Sequence, residues 1–362
     1  MLPHYDKVPG VHKIAVLRAN ALGDFIFTLP ALEALRTTYP NAEIVLLAKE
    51  WHASFLARRP SPINRVVVIP TYGGVGAEPG EVEEDPIEQE RFFQHMQQER
   101  FDLALQLHGG GAHSNPFVLR LGARMTAGTQ TPDAPVLDRS IPYIYFQHEV
   151  LRYLEVVSLV GATSNCIEPH IEVTKEDFAE VERVVPDQGR PLVALHPGAG
   201  DPRRRWPAEK FAAVGDALAA AGAHVLVTGT KSECGTVEAV VGHMQSEGQN
   251  LAEQISLGGL AALFKRCRVV VSNDSGPLHL ASAVGAATIG IYWCFNMINS
   301  SILTRSRHRP FVSWQLLCPV CGSNHTHADC PHEVSFVSEV PGEDVTAATL
   351  DLFKEHKASP VQ

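Results

Sequence analysis

Apolar and polar positions run along the chain in two similar series, each opening with a short aliphatic run, then a glycine-containing loop, then an amphipathic stretch. In the first series, residues 12–17 (HKIAVL) have the β-branched and aliphatic character of a buried parallel strand. A loop holding Gly23 and Asp24 follows. The next stretch, around residues 28–36, predicts a helix, with Thr28 placed to cap it and Pro30 tolerable because it lies near the start. Residues 42–48, 65–69 and 101–107 are strand-like, and helical or loop sequence separates them. Residues 73–90 break this rhythm with glycine, proline and an acidic run, which reads as an exposed loop or flap.

The second series restarts at residues 191–196 and continues through a glycine loop into a helix over 208–221. Strand 224–228, a helix after Ser232, strand 268–272, a helix over 278–284 and strand 287–292 complete it. Strand and helix in alternation are the signature of an α/β protein with a doubly wound parallel sheet. The expected architecture is two Rossmann-like domains, over residues 1–170 and 171–344, joined through the polar passage 161–170. Ligands of such sheets bind beyond the carboxyl ends of the strands.

The length of 362 residues supports this division, because single cores stop growing well below it. With 45% hydrophobic and 19% charged residues, the composition is that of a folded protein rather than a disordered one. No apolar run approaches the roughly 20 residues that span a bilayer, and the first residues lack the basic-then-apolar order of a signal peptide. A cytoplasmic location is expected. The net charge of −10 argues against a nucleic-acid partner. A small anion needs only a few basic residues, and Arg203, Arg204 and Arg205 stand out from the acidic background, as do Arg305, Arg307, His308 and Arg309.

Three loops follow predicted strand ends in the second half: Pro197-Gly-Ala-Gly-Asp201, Gly229-Thr-Lys-Ser-Glu233 and Asn273-Asp-Ser-Gly-Pro-Leu-His279. Glycine and small hydroxyl residues before a helix expose backbone N–H groups to the positive end of its dipole, which suits phosphate. One such loop is usually only a turn. Three together, with Arg205 just after the first, predict a phosphate-bearing ligand. Neither a Walker A loop nor Gly-x-Gly-x-x-Gly after a first strand is present, so an NTPase and an ordinary NAD enzyme lose ground. Asp24 has an ordinary reading as a first-turn helix acid.

Residues 18–32 (RANALGDFIFTLPAL) resemble the opening signature of glycosyltransferase family 9, the family of the ADP-heptose:lipopolysaccharide heptosyltransferases. His196-Pro-Gly-Ala-Gly200 with Arg205-Trp-Pro207, Gly229 to Glu233, and residues 274–285 follow in the family's order. The resemblance implies a GT-B fold whose first domain binds the acceptor and whose second binds the nucleotide sugar, with a last helix (345–357) returning to the first domain. It implies Asp24 as catalytic base and Arg205, where the family commonly has lysine, as stabiliser of the departing diphosphate. Donor contacts would come from Gly198, Gly200, Gly229, Glu233, Asp274, Ser275, Gly276 and His279. Acceptor contacts would come from Arg18, Asn20 and His108. Glu233 would take the ribose hydroxyls, and His279 would lie near the diphosphate or support its loop. The chain departs from the family at Asn20-Ala21, at His108-Gly-Gly-Gly111 and at Tyr292-Trp293-Cys294, positions expected to border the substrate cleft.

Seven cysteines make an odd count, so a secreted disulfide framework is not expected. Cys318-Pro-Val-Cys321, with Cys330 and His332, has the spacing of a structural zinc or iron site, with His325 or His327 as alternative fourth ligands and reduced thiols as the plain alternative. Such a metal would lie far from the sugar chemistry, and catalysis itself is expected to need no cofactor.

The expected function is inverting transfer of a heptose from ADP-heptose to a hydroxyl of the lipopolysaccharide inner core or a related glycan, by an enzyme peripheral at the inner membrane at most. Another nucleotide sugar, a protein or natural-product acceptor, and a non-catalytic nucleotide-sugar-binding subunit are the alternatives.

Overall fold

The computed structural model describes residues 5–77, 83–325 and 330–355, and divides the chain into two compact units at Pro169/His170. In the first unit the strands are β1 (Lys13–Leu17), β2 (Glu43–Ala48), β3 (Arg65–Val68), the two-residue pair β4 (Tyr72–Gly73) and β5 (Gly76–Ala77), β6 (Leu103–Gln106), β7 (Met125–Gln130) and β8 (Arg139–Pro142). The helices are α1 (Leu22–Ile26), α2 (Leu29–Thr38), α3 (Glu50–Leu56), α4 (Pro86–Gln98), α5 (Ser114–Arg120) and α6 (Glu149–Ser158). Six strands form one parallel sheet in the order β3-β2-β1-β6-β7-β8.

The second unit opens with α7 (Lys175–Val184) and continues β9 (Leu192–His196), α8 (Ala208–Ala220), β10 (His224–Val227), α9 (Cys234–His243), β11 (Gly248–Asn250), α10 (Leu257–Arg266) and β12 (Cys267–Asn273). It then runs through α11 (Gly276–Ala283), β13 (Ala287–Trp293), α12 (Cys294–Ser300), β14 (His308–Ser313) and α13 (Gly342–Glu355). Its parallel sheet has the order β11-β10-β9-β12-β13-β14, the same topology as the first. Each unit is therefore a doubly wound Rossmann-like layer structure, as the alternation of patterns predicts. The order reverses between β1 and β6 and again between β9 and β12, which is where such sheets open a crevice.

Local sequence explains the main starts and stops. Thr174 and Asp177 cap α7 reciprocally, with the Asp177 N–H donating to Thr174 Oγ1 at 3.2 Å and the Thr174 N–H to Asp177 Oδ2 at 2.8 Å. Asp85 accepts from the N–H groups of Ile87 and Glu88, so the end of the acidic run is the cap of α4 rather than free loop. Residues 78–82 of that run lie outside the described residues. Asp24 lies within the short helix α1, not on the loop expected there, and Thr28 bonds back to Phe25 O at 2.6 Å instead of capping α2 through its side chain.

The first core packs Leu17, Val45, Leu47, Phe93, Phe101 and Phe117. The second packs Val193, Leu195, Val225, Val269, Val271 and Ile289 with Phe211 and Trp206. The last helix, α13, packs on α8, β12 and β13 of the second unit, placing Val345, Leu352 and Phe353 in that core. The spacing of those three residues gives one apolar stripe, and this sheet face consumes it. Residues 356 and 357 of the expected helix lie outside the described residues.

Three buried histidines bear on acid stability. Burial and nearby positive charge hold His52, His108 and His308 down to about 3, so each is neutral in the folded chain. The unfolded chain takes up those protons near pH 6.5. Stability should therefore be complete above that pH and fall as pH drops from about 6.5 towards 3, by up to about 1.4 kcal/mol per pH unit for each histidine. Calorimetric melting between pH 7.5 and 4.5 should show Tm falling on the acid side, and a flat profile would contradict the assignment.

Candidate active site

The first unit gathers its polar residues at the β1/β6 switch point. Arg18, the residue after β1, is only 2% exposed, and a guanidinium taken so far out of water needs partners. Its Nη1 donates to Leu107 O at 2.6 Å and to the Tyr153 hydroxyl at 2.5 Å, while Nη2 meets Asp24 Oδ1 at 2.9 Å. Burial pushes the Tyr153 phenol up to about 12, so it keeps its proton and donates it to Glu149. Glu149 also pairs with Arg152, whose Nη2 donates to Ile144 O and, at 3.2 Å, to Gln147 O. A chain of alternating charge thus runs from the loop before α6 to Asp24.

Asp24 keeps one face open, with its side chain 35% exposed. Its Oδ2 accepts from the Ala21 N–H at 3.2 Å, so the ordinary first-turn role is filled as well. The carboxylate lines a cavity of 720 Å³ with Asn20, Lys49, His108, Thr131 and Tyr143. The His108 ring accepts from the Ala19 N–H at Nδ1 at 3.3 Å and is also bonded by the Gly74 backbone, which makes it a neutral wall of the cavity. Of the three residues expected to touch an acceptor, Asn20 and His108 line this space, whereas Arg18 lies behind Asp24.

In the second unit the three glycine loops leave β9, β10 and β12, which are neighbours in the sheet. Asn273 stitches two of the loops together, donating to Pro197 O at 2.7 Å and accepting from the Trp206 N–H at 3.0 Å. Buried Asp274 is held by Arg204 at 3.2 Å and by His279 Nε2 at 3.3 Å. His279, on α11, is thus bonded to the carboxylate at the end of β12. The Ser275 side chain does not cap α11; its hydroxyl meets Asn273 O at 3.3 Å.

Glu233 accepts from both the N–H and the hydroxyl of Thr230 at 2.8 Å. Burial alone would raise its carboxyl, but the Thr230 bonds and Arg205 bring it below the usual range. Burial lowers His196, which bonds Thr228 Oγ1 at 3.1 Å, so the pair is a carboxylate beside a neutral imidazole. Gly198 lies directly against the Glu233 carboxylate, and a methyl group there would collide with it. The Arg205 guanidinium turns onto its own loop, with Nε and Nη2 donating to Ala199 O at 3.0 and 2.9 Å. Sequence reading missed Asn273 and His196 as loop anchors, although each sits at a predicted strand end. Tyr292 is buried and bonded to His308 at 3.1 Å, and Trp293 stacks on Phe336.

Beyond β14, the ligand atoms of Cys318, Cys321, Cys330 and His332 all lie within 4.8 Å of one another. A tetrahedral ion with metal–sulfur bonds of about 2.3 Å needs its donors roughly 3.8 Å apart, so this set fits zinc or iron. A tight turn with the Gly322 N–H on Cys318 O at 2.8 Å brings the first two thiols together. His325 stands beside Cys330 at 3.8 Å but outside the four. His327 lies outside the described residues.

Residues 89–307 match the family model described as "Glycosyltransferase family 9 (heptosyltransferase)". The lipopolysaccharide heptosyltransferase 2 of Salmonella typhimurium is 26% identical over 297 residues, covering 77% of this chain and 82% of that relative. Among solved structures, the E. coli ADP-heptose lps heptosyltransferase II superposes with a TM-score of 0.74 at 19% identity, covering 95% of this chain and 99% of the other. The iron-containing dodecameric glycosyltransferase TibC of enterotoxigenic E. coli gives 0.56 at 12% identity, over 96% and 78%. The structural likenesses carry the GT-B fold, and the family match spans more than half of the chain. The chain belongs to glycosyltransferase family 9 and is a glycosyltransferase.

Proposed function

We propose that this enzyme transfers a heptose from ADP-heptose to a hydroxyl of the lipopolysaccharide inner core or a closely related glycan, with inversion at the anomeric carbon. The observation that carries the reading is Asp24. One oxygen is fixed on a buried guanidinium, and the carboxylate borders a 720 Å³ cavity large enough for a sugar acceptor. The names of the relatives supply the sugar and the glycan.

In this reading the acceptor hydroxyl gives its proton to Asp24 as its oxygen bonds to the anomeric carbon. The bond from that carbon to the diphosphate oxygen breaks on the opposite face, and ADP leaves with the electron pair. The charge gathered on the diphosphate is met by Arg205 and by the N–H groups of the first turn of α11. Glu233 receives the ribose hydroxyls. Arg18 acts through Asp24, holding its carboxylate aimed. No cofactor enters these steps. The Cys318, Cys321, Cys330 and His332 cluster holds a structural zinc or iron ion, a reading that the iron-containing neighbour supports.

In this reading the enzyme acts in the cytoplasm. Among the described residues no helix is long and apolar enough to cross a membrane. A lipid-borne acceptor would therefore be met at the membrane surface.

Three measurements test the reading. A thermal-shift panel of nucleotide sugars should single out ADP and ADP-heptose, and a response only to another nucleotide would move the donor assignment to that sugar. Asp24→Ala should lower kcat by about 10²- to 10⁴-fold while ADP binding survives; unchanged turnover would remove Asp24 as the base. Gly198→Ala should displace the Glu233 carboxylate and weaken ADP binding roughly tenfold, about 1.4 kcal/mol, by titration calorimetry.

A further inference from the structure

The cysteine–histidine knuckle and the arginine turn of the proposed donor site are joined by one short piece of backbone. Three residues after His332, the Ser335 hydroxyl donates to Arg205 O at 2.6 Å, and the next N–H, of Phe336, donates to Arg203 O at 2.6 Å. The Phe336 ring is 2% exposed. It stacks on Trp293 at 4.7 Å and 30°, packs on His325 at 4.5 Å, and lies under the Arg203 guanidinium at 5.2 Å. Two of the three carbonyls of the arginine turn are therefore held by the segment that leaves the knuckle.

The turn itself is slight. Residues Pro202–Arg204 form a single 3-10 turn, with Arg203 forked onto Asp201 and Arg204 Nη1 paired with Asp274 at 3.2 Å. Among its described residues the knuckle has little apolar packing. Cys318 is buried, but Trp314, Leu317 and Val320 around it are exposed. Its backbone is tied by a few local bonds, Cys318 N–H to Ser323 O at 2.9 Å and His325 N–H to Leu316 O at 3.0 Å among them. A segment with so little core depends on a cross-link to keep its shape, and an ion on four side chains is such a cross-link.

We infer that metal occupancy at Cys318, Cys321, Cys330 and His332 fixes the Ser335-Phe336 segment against the Arg203–Arg205 turn and so sets the affinity of the donor site for a nucleoside diphosphate. The inference rests on the assignment of Arg205 to the donor diphosphate made above. The ion takes no part in bond making. Its effect is mechanical, passing through two hydrogen bonds and one buried ring, and it replaces the expectation that this site is remote from the sugar chemistry. Trp293, which departs from the family pattern, gains a role as the other side of the stack on Phe336.

The test compares ADP binding by titration calorimetry to the full chain before and after chelation, with metal content followed by elemental analysis. The loaded protein should carry about one zinc or iron per chain. Stripping should weaken ADP binding about tenfold or more with the far-ultraviolet dichroism retained, and restoring the same ion should recover it. Ser335→Ala should keep its metal and still lose part of the ADP affinity, which separates the coupling from loss of fold. Equal ADP affinity in loaded and stripped protein, an unaffected Ser335→Ala variant, or failure to take up either metal would overturn the inference. Failure of loaded protein to bind ADP at all would overturn the donor assignment instead.

Discussion

A parallel sheet must carry its chain back across one face between strands, and where the winding reverses, two loops part and leave a crevice. Both units make that reversal once, between β1 and β6 and between β9 and β12. The candidate chemistry follows from it. Asp24 and His108 leave the first pair, and the Pro197 and Asp274 loops leave the second. Strands buried on both faces must be apolar, so the polar residues of these segments are pushed to the strand ends, where the loops open.

The first crevice is organised by the cost of burying Arg18. A guanidinium so enclosed needs partners, and Leu107 O, the Tyr153 hydroxyl and Asp24 take its two Nη groups while Nε is left without one. Tyr153 in turn lies on α6, whose Glu149 and Arg152 extend the charge pairing to the loop before that helix. The carboxylate facing the cavity is therefore the exposed end of a chain of paired charges, and its orientation is decided by residues that do not touch the cavity. Removing a middle member would leave a buried charge unpaired, a more severe change than removing the end.

Much of the fold was legible because β-branched runs such as Val66-Val67-Val68 and Val269-Val270-Val271 admit little else at that length. Strand β7 was not. Its residues Met125–Gln130 include glycine, two threonines and glutamine, and Gly128 is there because a side chain would strike Gln106 of the adjacent strand. The stripe on α13 announced a buried face but could not say which sheet it covers. The candidate loops of the second unit were legible from glycine placed after apolar runs. The pairing of Arg18 with Tyr153 was not, since the two residues stand 135 positions apart and no local spacing records such a contact.

Arginine at position 205, where lysine is common in the family, fits the way the turn is held. The Arg205 fork places two N–H groups on Ala199 O, a grip that needs a planar pair of donors; a lysine would reach the same carbonyl with a single ammonium. The turn is thus fastened from inside by its own guanidinium and from outside by Ser335 and Phe336. To meet a diphosphate, the guanidinium must release or share the inner contact, and the outer one then keeps the backbone in place while the side chain swings. The arginine and the cysteine–histidine knuckle are in this sense parts of one arrangement, linked through the backbone of a single turn.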